Sequence, residues 1–420
     1  MFHWRISAGA LRAVACVGTL LVAIHARAAE PLLVKSDLFE AGKEGHKLYR
    51  IPGIVVTAKG TVLAYCEGRK HSGLDWDDIE IMLRRSTDGG QSWSAPIVLP
   101  KPAGRFERNP AAVAKKLARD GEITLNNPVA IADRGGAVHF LYCVDYGRCF
   151  YLRSDDDGLT FSQPVEITKT FEQFRKDYNC RVFATGPAHG IQLKNARLVV
   201  PVWLSTGTGG NAHRPSAVAT IFSDDSGKTW QRGDIVAGET DPLTNPNETV
   251  VAQLADGRVM LNMRSESKEH RRAVSISPDG ATHWSRPVFD EQLKEPICMA
   301  SLCRLSDQKT SDRNRLLFAN PDNPDGAGKN ESPGRMHYRK NLTVKLSYDE
   351  GQTWPVARVL EPGTSGYSDL AVGPHGTIYC FFERGSTTGR DQFSTHALTL
   401  ARFNLEWLSA GKDRLPKKPE

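Results

Sequence analysis

The sequence SDDSGKTW, residues 223–230, decides the fold because four further stretches of the chain repeat its pattern. Each copy has a serine, an aspartate two positions later, a glycine, and an aromatic residue at its end. The other copies are STDGGQSW at 86–93, SDDDGLTF at 154–161, SPDGATHW at 277–284 and SYDEGQTW at 347–354. Successive copies start 68, 69, 54 and 70 residues apart. Repetition at such a period indicates an array of similar structural units rather than one wound sheet.

The five copies, here called the turn boxes, have the composition of hairpin turns. Serine and aspartate side chains bind nearby backbone N–H groups, and glycine accepts a positive φ. The terminal aromatic residue is expected to pack the turn onto its sheet. The acidic positions are too few for a calcium-binding loop. We therefore predict that the turn boxes build the fold and take no part in chemistry.

Short runs rich in β-branched and aromatic residues separate the turn boxes and predict strands. The clearest strands are predicted at 61–66, 137–142, 197–204 and 377–382, with a hairpin over 250–263. Short helices are predicted only at 111–119 and 171–178. Many short strands with a period near 70 residues favour an all-β, six-bladed β-propeller of four-stranded antiparallel blades. The sixth blade would use residues 368–407 together with a strand from the N-terminus, whereas a β-helix would need a much shorter repeat.

The N-terminus has the composition of a secretory signal peptide. An apolar run over 13–24 follows a basic start, and the small-x-small motif at 26–28 predicts cleavage after residue 28. We expect a signal peptide at 1–28, one propeller at 30–408 and a flexible tail at 409–420. These expectations place the protein in the periplasm or outside the cell, without stable insertion in a membrane.

Charge and cysteine content exclude several classes of protein. Removal of the signal peptide would leave 51 basic and 48 acidic residues, and a net charge of +3 gives no reason to expect nucleic acid as a partner. Seven cysteines would remain, so at least one thiol is free and the chain is no disulfide-stapled scaffold. Cys143 with Cys149, and Cys298 with Cys303, are close enough in sequence to pair.

Two further motifs carry a resemblance to a known family. The motif YRIP stands at 49–52, and FATGPAHGIQL stands at 183–193. Together with the turn boxes they resemble the sialidases (exo-α-neuraminidases) of the bacterial and animal type. The resemblance extends over residues 48–403. Turn boxes alone would be weak evidence because unrelated propellers carry them, but their combination with the Arg-Ile-Pro motif is specific.

The resemblance implies a binding site for the carboxylate of sialic acid. Three arginines of the family map to Arg50, Arg264 and Arg339. A guanidinium group keeps its charge and offers a planar pair of donors that matches a carboxylate. Glu383 matches the glutamate that braces the first arginine, and Arg69 is a candidate for the pocket wall near the substituted amine or the C4 hydroxyl.

The resemblance also implies the catalytic residues. Tyr367 would be the nucleophile, Glu248 its base and Asp75 the general acid and base. A neutral phenol suits this substrate, because its anomeric carbon bears a carboxylate that would repel a carboxylate nucleophile. Asp77 and Asp78 compete with Asp75 for the acid role, since all three stand in one acidic run. An acid that stays protonated at working pH predicts an acidic optimum.

The expected function is hydrolysis of terminal α-linked sialic acids with retention, on sialylated glycans and without a cofactor or metal. Trp203, Asn127 and Asn211 are candidates for the remaining pocket wall. Two alternatives stay open: a sialic-acid lectin without turnover, and a related glycosidase or transferase that acts on another acidic sugar or releases an anhydro product. Linkage preference and oligomeric state are not readable from the sequence.

Overall fold

The computed structural model describes residues 1–3, 30–117, 119–239, 243–323, 339–385 and 395–416. The chain divides into two units, Met1–Glu30 and Pro31–Glu420. The predicted signal peptide falls almost wholly outside the described residues, as do the last four residues of the predicted tail.

The described residues of the second unit are almost entirely strands and turns. The strands are β1 Leu33–Glu40, β2 Leu48–Val56, β3 Val62–Arg69, β4 Ile79–Ser86, β5 Ile97–Val98, β6 Leu125–Ala132, β7 Val138–Val144, β8 Arg148–Ser154, β9 Val165–Glu166, β10 Val182–Thr185, β11 Ala188–His189, β12 Ile191–Gln192, β13 Leu198–Ser205, β14 Ser216–Ser223, β15 Gln231–Ala237, β16 Thr249–Gln253, β17 Val259–Met263, β18 Arg271–Ser277, β19 Val288–Lys294, β20 Ser301–Ser306, β21 Arg315–Pro321, β22 Lys340–Ser347, β23 Val356–Val372, β24 Ile378–Gly385 and β25 Thr395–Phe403.

The helices are short, as the sequence predicts. They are α1 Pro110–Ala114, α2 Thr168–Glu172 and α3 Leu405–Leu408, with 3₁₀ turns at Gln173–Lys176 and Pro374–Gly376. The helix predicted at 111–119 is wrong in its length. It ends at Ala114 because Lys116 adopts a positive φ of 54°, which breaks the helical path.

The strands form a propeller-like, all-β arrangement. Two sheets have four strands (β2–β5 and β16–β19), and two have five (β6–β9 with β11, and β10 with β12–β15). The prediction of uniform four-stranded antiparallel blades is therefore wrong for three of the five sheets, since two have five strands and one has seven. In addition, β11 pairs with β6 in parallel. Tyr65 explains that addition: its hydroxyl donates to the carbonyl of Ala188 and accepts from the N–H of Ala130, which joins the two strands.

The fifth sheet has seven strands, in the order β1-β25-β24-β23-β22-β21-β20. The long strand β23 joins two arms, since its residues 356–364 pair with β22 and its residues 365–372 pair with β24. The arms pack on each other through a shared apolar core that includes Leu317, Val344 and Phe403. The N-terminal strand β1 completes the outer edge of the sheet by pairing with β25.

Apolar side chains fill the space between successive sheets. Leu63 of the first sheet packs with Phe140 of the second, and Phe381 of the last sheet packs with Ala64 of the first. Strands covered on both faces read as continuous apolar runs instead of alternating ones. The strand β3 is accordingly buried along its whole length.

The innermost strands meet at one buried carboxylate, that of Asp369. It accepts hydrogen bonds from the N–H of Ile54 at 2.9 Å, from the hydroxyl of Ser301 at 3.0 Å and from Nδ1 of His189 at 2.7 Å. Burial disfavours the charge on His189, but the Asp369 carboxylate outweighs it and raises the pKa of the imidazole above its ordinary value. One carboxylate thus joins four strands, through an ion pair with β11 and hydrogen bonds from β2 and β20 to Asp369 of β23.

The turn boxes adopt the predicted conformation. In the third box, the Asp225 carboxylate accepts from the hydroxyl of Ser223 and from the N–H and hydroxyl of Thr229, at 2.8, 2.9 and 2.6 Å. The closing residue Trp230 packs against Tyr151 of the neighbouring sheet, with 5.8 Å between ring centres. In this box, local hydrogen bonds hold the turn, and the closing tryptophan joins it to the neighbouring sheet.

The start of the predicted tail is held on the sheet. Arg315, which is fully buried, makes two hydrogen bonds to the carboxylate of Asp413 at 2.8 and 2.7 Å. Tyr348 donates to the same carboxylate at 2.9 Å. The seven cysteines among the described residues are free thiols, so neither of the two sequence-adjacent pairs forms a disulfide here.

Candidate active site

Three arginines from three sheets converge on one tyrosine. Arg50 lies in β2, Arg264 directly follows β17, and Arg339 directly precedes β22. Their guanidinium carbons stand 5.2, 5.9 and 5.5 Å from the ring centre of Tyr367. All three arginines are buried, which is rare for so many cations unless anions compensate them.

Glu383 fixes the first of these arginines and the tyrosine together. Its carboxylate accepts from Nε and Nη2 of Arg50 at 3.0 and 3.3 Å, and from the backbone N–H groups of Ile51 and Tyr367 at 3.1 Å each. The Glu383 side chain is 0% exposed, so these hydrogen bonds take the place of those that water would make to the carboxylate. A Cβ on Gly366 would stand 2.2 Å from a carboxylate oxygen of Glu383, which is why this position has no side chain.

The Tyr367 hydroxyl lies between a carboxylate and a guanidinium group. Its oxygen is 2.7 and 2.6 Å from the two carboxylate oxygens of Glu248, to which it donates. Arg264 donates to the same hydroxyl oxygen at 2.7 Å and also pairs with Glu248. Burial raises the pKa of Tyr367 well above its usual range; Glu248 adds to that effect, and the three arginines oppose it. The phenol therefore stays protonated in the resting site, with its proton directed at Glu248.

Asp75 lies at the edge of this site, in the loop between β3 and β4. Its carboxylate accepts a hydrogen bond from Arg69 at 2.8 Å and stands 3.7 Å from Nη1 of Arg50. Its side chain is 45% exposed, unlike that of Glu383. Partial desolvation favours the neutral acid, but the two guanidinium groups outweigh it and hold the pKa of Asp75 well below its usual range.

The two competing aspartates of the same run have other contacts. The buried Asp77 accepts from the backbone N–H groups of residues 71–73 and 78, so it clamps the loop. Asp78 pairs with Lys70 at 3.3 Å. Of the three aspartates, Asp75 alone is in the lining of the pocket.

Arg69 is positioned by a buried glutamate that the sequence does not single out. Glu67 accepts from Nε and Nη2 of Arg69 at 3.0 and 2.6 Å and from the N–H of Asn127 at 2.8 Å. Burial raises the pKa of Glu67, while Arg69 and the N–H of Asn127 oppose that shift. Arg69 thereby connects the buried carboxylate of Glu67 to the carboxylate of Asp75 at the pocket.

A cavity of about 240 Å³ is lined by the predicted residues Arg50, Asp75, Glu248, Arg264, Arg339 and Tyr367. Arg69, which was predicted for the pocket wall, and Glu383 are not in that lining. The three wall candidates Trp203, Asn127 and Asn211 all line the cavity. Sequence reasoning missed six further lining residues, which are Tyr146, His213, Arg214, Asn247, Glu266 and Ile297. No sequence motif marks these residues. They reach the pocket only because separate parts of the chain come together in the folded protein.

The missed residues add an aromatic wall and a further ion pair. The rings of Tyr146 and His213 lie 4.7 Å apart, and those of Trp203 and His213 lie 5.1 Å apart. Burial lowers the pKa of His213 to about 4 and, together with the charge of Arg264, lowers the pKa of Arg214 to about 10. Arg214 pairs with Glu266. Within the described ranges, no group of three or more His, Cys, Asp or Glu side chains could hold a metal ion.

Comparison with known proteins identifies the family of the chain. A family model described as a BNR repeat-like domain matches residues 60–380. The sialidase of Micromonospora viridifaciens is 30% identical over 402 residues, which cover 90% of this chain and 55% of that protein. Sialidase-3 of Bos taurus is 26% identical over 420 residues, which cover 87% of this chain and 92% of that protein.

The chain belongs to the sialidase family with BNR repeats. It spans little more than half the length of the Micromonospora relative. The solved structure described as Hadza microbial sialidase Hz136 is similar to this family member, with a TM-score of 0.70 and 27% identity. That match covers 89% of this chain and 69% of the other. Among the described helices of this sialidase-family chain, none is long and apolar enough to span a membrane.

Proposed function

We propose that this chain is an exo-α-sialidase that removes terminal α-linked sialic acids from glycans with retention of configuration. One observation carries the proposal: the Tyr367 hydroxyl is bonded to Glu248, and three buried guanidinium groups surround the same ring. A neutral phenol activated by a carboxylate suits a substrate whose reacting carbon bears a carboxylate group, because that group would repel a charged carboxylate nucleophile.

The arginines are proposed to bind and orient the substrate carboxylate. Arg50, Arg264 and Arg339 offer paired donors in a site that excludes most water, and charge-assisted bonds are strongest there. Glu383 keeps Arg50 from turning away, because it already engages two of its nitrogens. The carboxylate would therefore fix the anomeric carbon close to the Tyr367 hydroxyl.

Covalent catalysis would then proceed through the tyrosine. Glu248 takes the phenol proton as the Tyr367 oxygen attacks the anomeric carbon and the glycosidic bond breaks. The hydrogen bond from Arg264 stabilises the negative charge that develops on the phenol oxygen. Water then attacks the anomeric carbon from the face that the leaving group has vacated, the bond to the tyrosine oxygen breaks, and the Tyr367 oxygen takes its proton back from Glu248. Two inversions at the same carbon leave the sugar with its original configuration.

Asp75 is proposed as the acid and base that serves the leaving oxygen and then the water. Arg69 and Arg50 hold the pKa of Asp75 below its ordinary value, which favours the ionised carboxylate. The acid role therefore requires that the pKa rise when substrate binds. A substrate carboxylate on Arg50 would compensate that guanidinium, place a negative charge near Asp75 and raise its pKa on binding. The acidic optimum thus becomes a property of the enzyme–substrate complex.

The test is release of a fluorescent alcohol from a fluorogenic α-sialoside, measured for the wild type and for Tyr367→Phe. We expect release by the wild type and a loss in the variant of about 10³-fold or more. Proton NMR of the first product would show the α-anomer if the configuration is retained. Binding of sialic acid without turnover by the wild type would identify a lectin, and absence of binding would indicate a different acidic sugar.

We extend the proposal to architecture and location. Counting the two arms of the seven-stranded sheet as separate blades gives six blades around the pocket, with residues 30–408 as the catalytic propeller. Residues 1–28 would direct export, so that the enzyme meets sialylated glycans in the periplasm or outside the cell. Mass spectrometry of the N-terminus of the secreted protein tests the cleavage site.

A further inference from the structure

Leu74 is an exposed apolar residue in an unusual place. Its exposed fraction is 64%, whereas Trp76, two residues later, is 4% exposed. Most other exposed apolar side chains lie in a turn box or an outer strand, as do Leu159 at 58% and Val165 at 57%. Leu74 instead directly precedes Asp75, a residue of the pocket lining, and itself lies outside that lining.

The backbone around Leu74 is firmly held. The Asp77 carboxylate accepts three N–H groups, from residues 71, 72 and 73, at 3.1, 2.7 and 2.8 Å. The N–H of Leu74 donates to the Ser72 hydroxyl, and its carbonyl accepts from the N–H of Asp77. Arg69 donates to the carbonyl of Gly73 at 2.9 Å. The Leu74 side chain is therefore presented to solvent by an ordered loop, and its exposure is not the result of a loose one.

We propose that Leu74 forms the apolar contact for the leaving group of the sialoside and favours substrates with a ring at that position. This inference rests on the proposed function. A general acid must stand within hydrogen-bond distance of the oxygen that it protonates. The first atoms of the leaving group must then lie beside Asp75, and the Cα of the preceding residue is about 3.8 Å from that of Asp75.

The chemistry of the contact selects the class of leaving group. The isobutyl side chain of leucine forms no hydrogen bonds. Its contact with the leaving group can therefore stabilise the complex only by burying apolar C–H surface. The C–H face of a pyranose or the face of an aryl ring supplies such surface, whereas a methyl group supplies little. Leu74 is thus expected to distinguish glycosyl and aryl sialosides from alkyl sialosides with a small alkyl group.

The experiment compares kcat/KM for three substrates: methyl α-sialoside, an aryl α-sialoside and 3′-sialyllactose. Leu74→Ala is expected to lower kcat/KM for the aryl and lactose substrates about five-fold, and for the methyl substrate less than about two-fold, in proportion to the apolar area lost. Leu74→Met restores the wild-type ratio between substrates, because it keeps a similar apolar volume. The matched control is Leu159→Ala, which removes an equally exposed leucine from a turn box and leaves all three values unchanged.

Each outcome decides the inference. An equal change for all three substrates, or no change for any, overturns it while wild-type turnover leaves the proposed function intact. Absence of turnover by the wild type overturns both. Equal thermal midpoints for wild type and Leu74→Ala, expected because the side chain is exposed, show that a kinetic change does not arise from unfolding.

Discussion

The turn boxes and the pocket both depend on carboxylates, but the two differ in where the hydrogen-bond partners of those carboxylates lie along the chain. Asp225 in a turn box is satisfied by residues no more than four positions away. Glu383 in the pocket is satisfied partly by Arg50 and Ile51, which lie more than 330 positions away in the chain. A carboxylate that binds its sequence neighbours makes a motif that can be repeated along the chain. A carboxylate that binds residues far along the chain makes a site that exists only when both ends of the propeller-like unit have folded together.

Breaking the buried pair between Arg50 and Glu383 should have the largest effect. Glu383→Gln keeps the shape but leaves the buried guanidinium uncompensated, which costs about 3–5 kcal/mol of unfolding free energy. Misplacement of Arg50 should also lower kcat/KM by about 10²-fold. Urea unfolding and sialoside kinetics measure the two effects. Glu166→Gln, at an exposed pair with Arg148, serves as the control and should cost less than about 1 kcal/mol.

Replacement of an arginine by lysine separates charge from geometry. Arg264→Lys keeps the positive charge but loses the planar pair of donors, and a lost charge-assisted bond of about 1.5–3 kcal/mol corresponds to about a 10- to 100-fold fall in kcat/KM. Arg197→Lys makes the same change at an arginine that pairs with the turn-box residues Asp224 and Asp279. It should leave kcat/KM unchanged; a similar fall in both variants would contradict the distinction between pocket and turn box.

Removal of a turn-box carboxylate should affect stability alone. Asp225→Ala leaves an N–H group and two hydroxyls at the turn without their acceptor and should cost about 1 kcal/mol of unfolding free energy. The free energy of unfolding is measured with urea, and sialoside kinetics are measured alongside. A loss of activity without a loss of stability would show that the turn boxes take part in function.

The smallest effect should be a dependence of stability on pH that originates in the inner strands. The folded-state pKa of His189 is raised above its usual value of about 6.5. Below pH 6.5 the protonated imidazole therefore makes its full contribution to the free energy of unfolding. It is lost as pH rises through the folded-state pKa, because the neutral imidazole gains less from Asp369. The urea midpoint of the wild type should therefore fall on going above pH 6.5. In His189→Gln this fall should be smaller, and an equal fall in both would assign it to other groups.

The contrast also explains what the sequence could predict. The turn boxes and strands β3, β7, β13 and β24 were predictable because neighbouring residues determine them. Site residues were found where a motif surrounds them, as with Arg50 in its Tyr-Arg-Ile-Pro context and Tyr367 in SGYSDL. Glu67, Arg214 and Glu266 were missed, because each matters through a partner or a cavity that only the folded chain brings together.

The length of β23 was unpredictable for a different reason. Its sequence includes Pro362, Gly363 and Gly366, residues that normally end a strand. The pairing continues through them by shifts of register, including one between Ser365 and Ser368. That shift surrounds Tyr367, so an irregularity in the sheet places the proposed nucleophile.

The pairing of β1 with β25 has a consequence for biogenesis. The edge of the last sheet needs Leu33–Glu40 from one end of the chain and Thr395–Phe403 from the other. Neither segment can complete that edge alone, so the last sheet reaches its full width only after both segments have been synthesised and have met. Loss of either segment would leave a row of unpaired backbone groups on the other strand, and such an edge is a template for pairing with another chain.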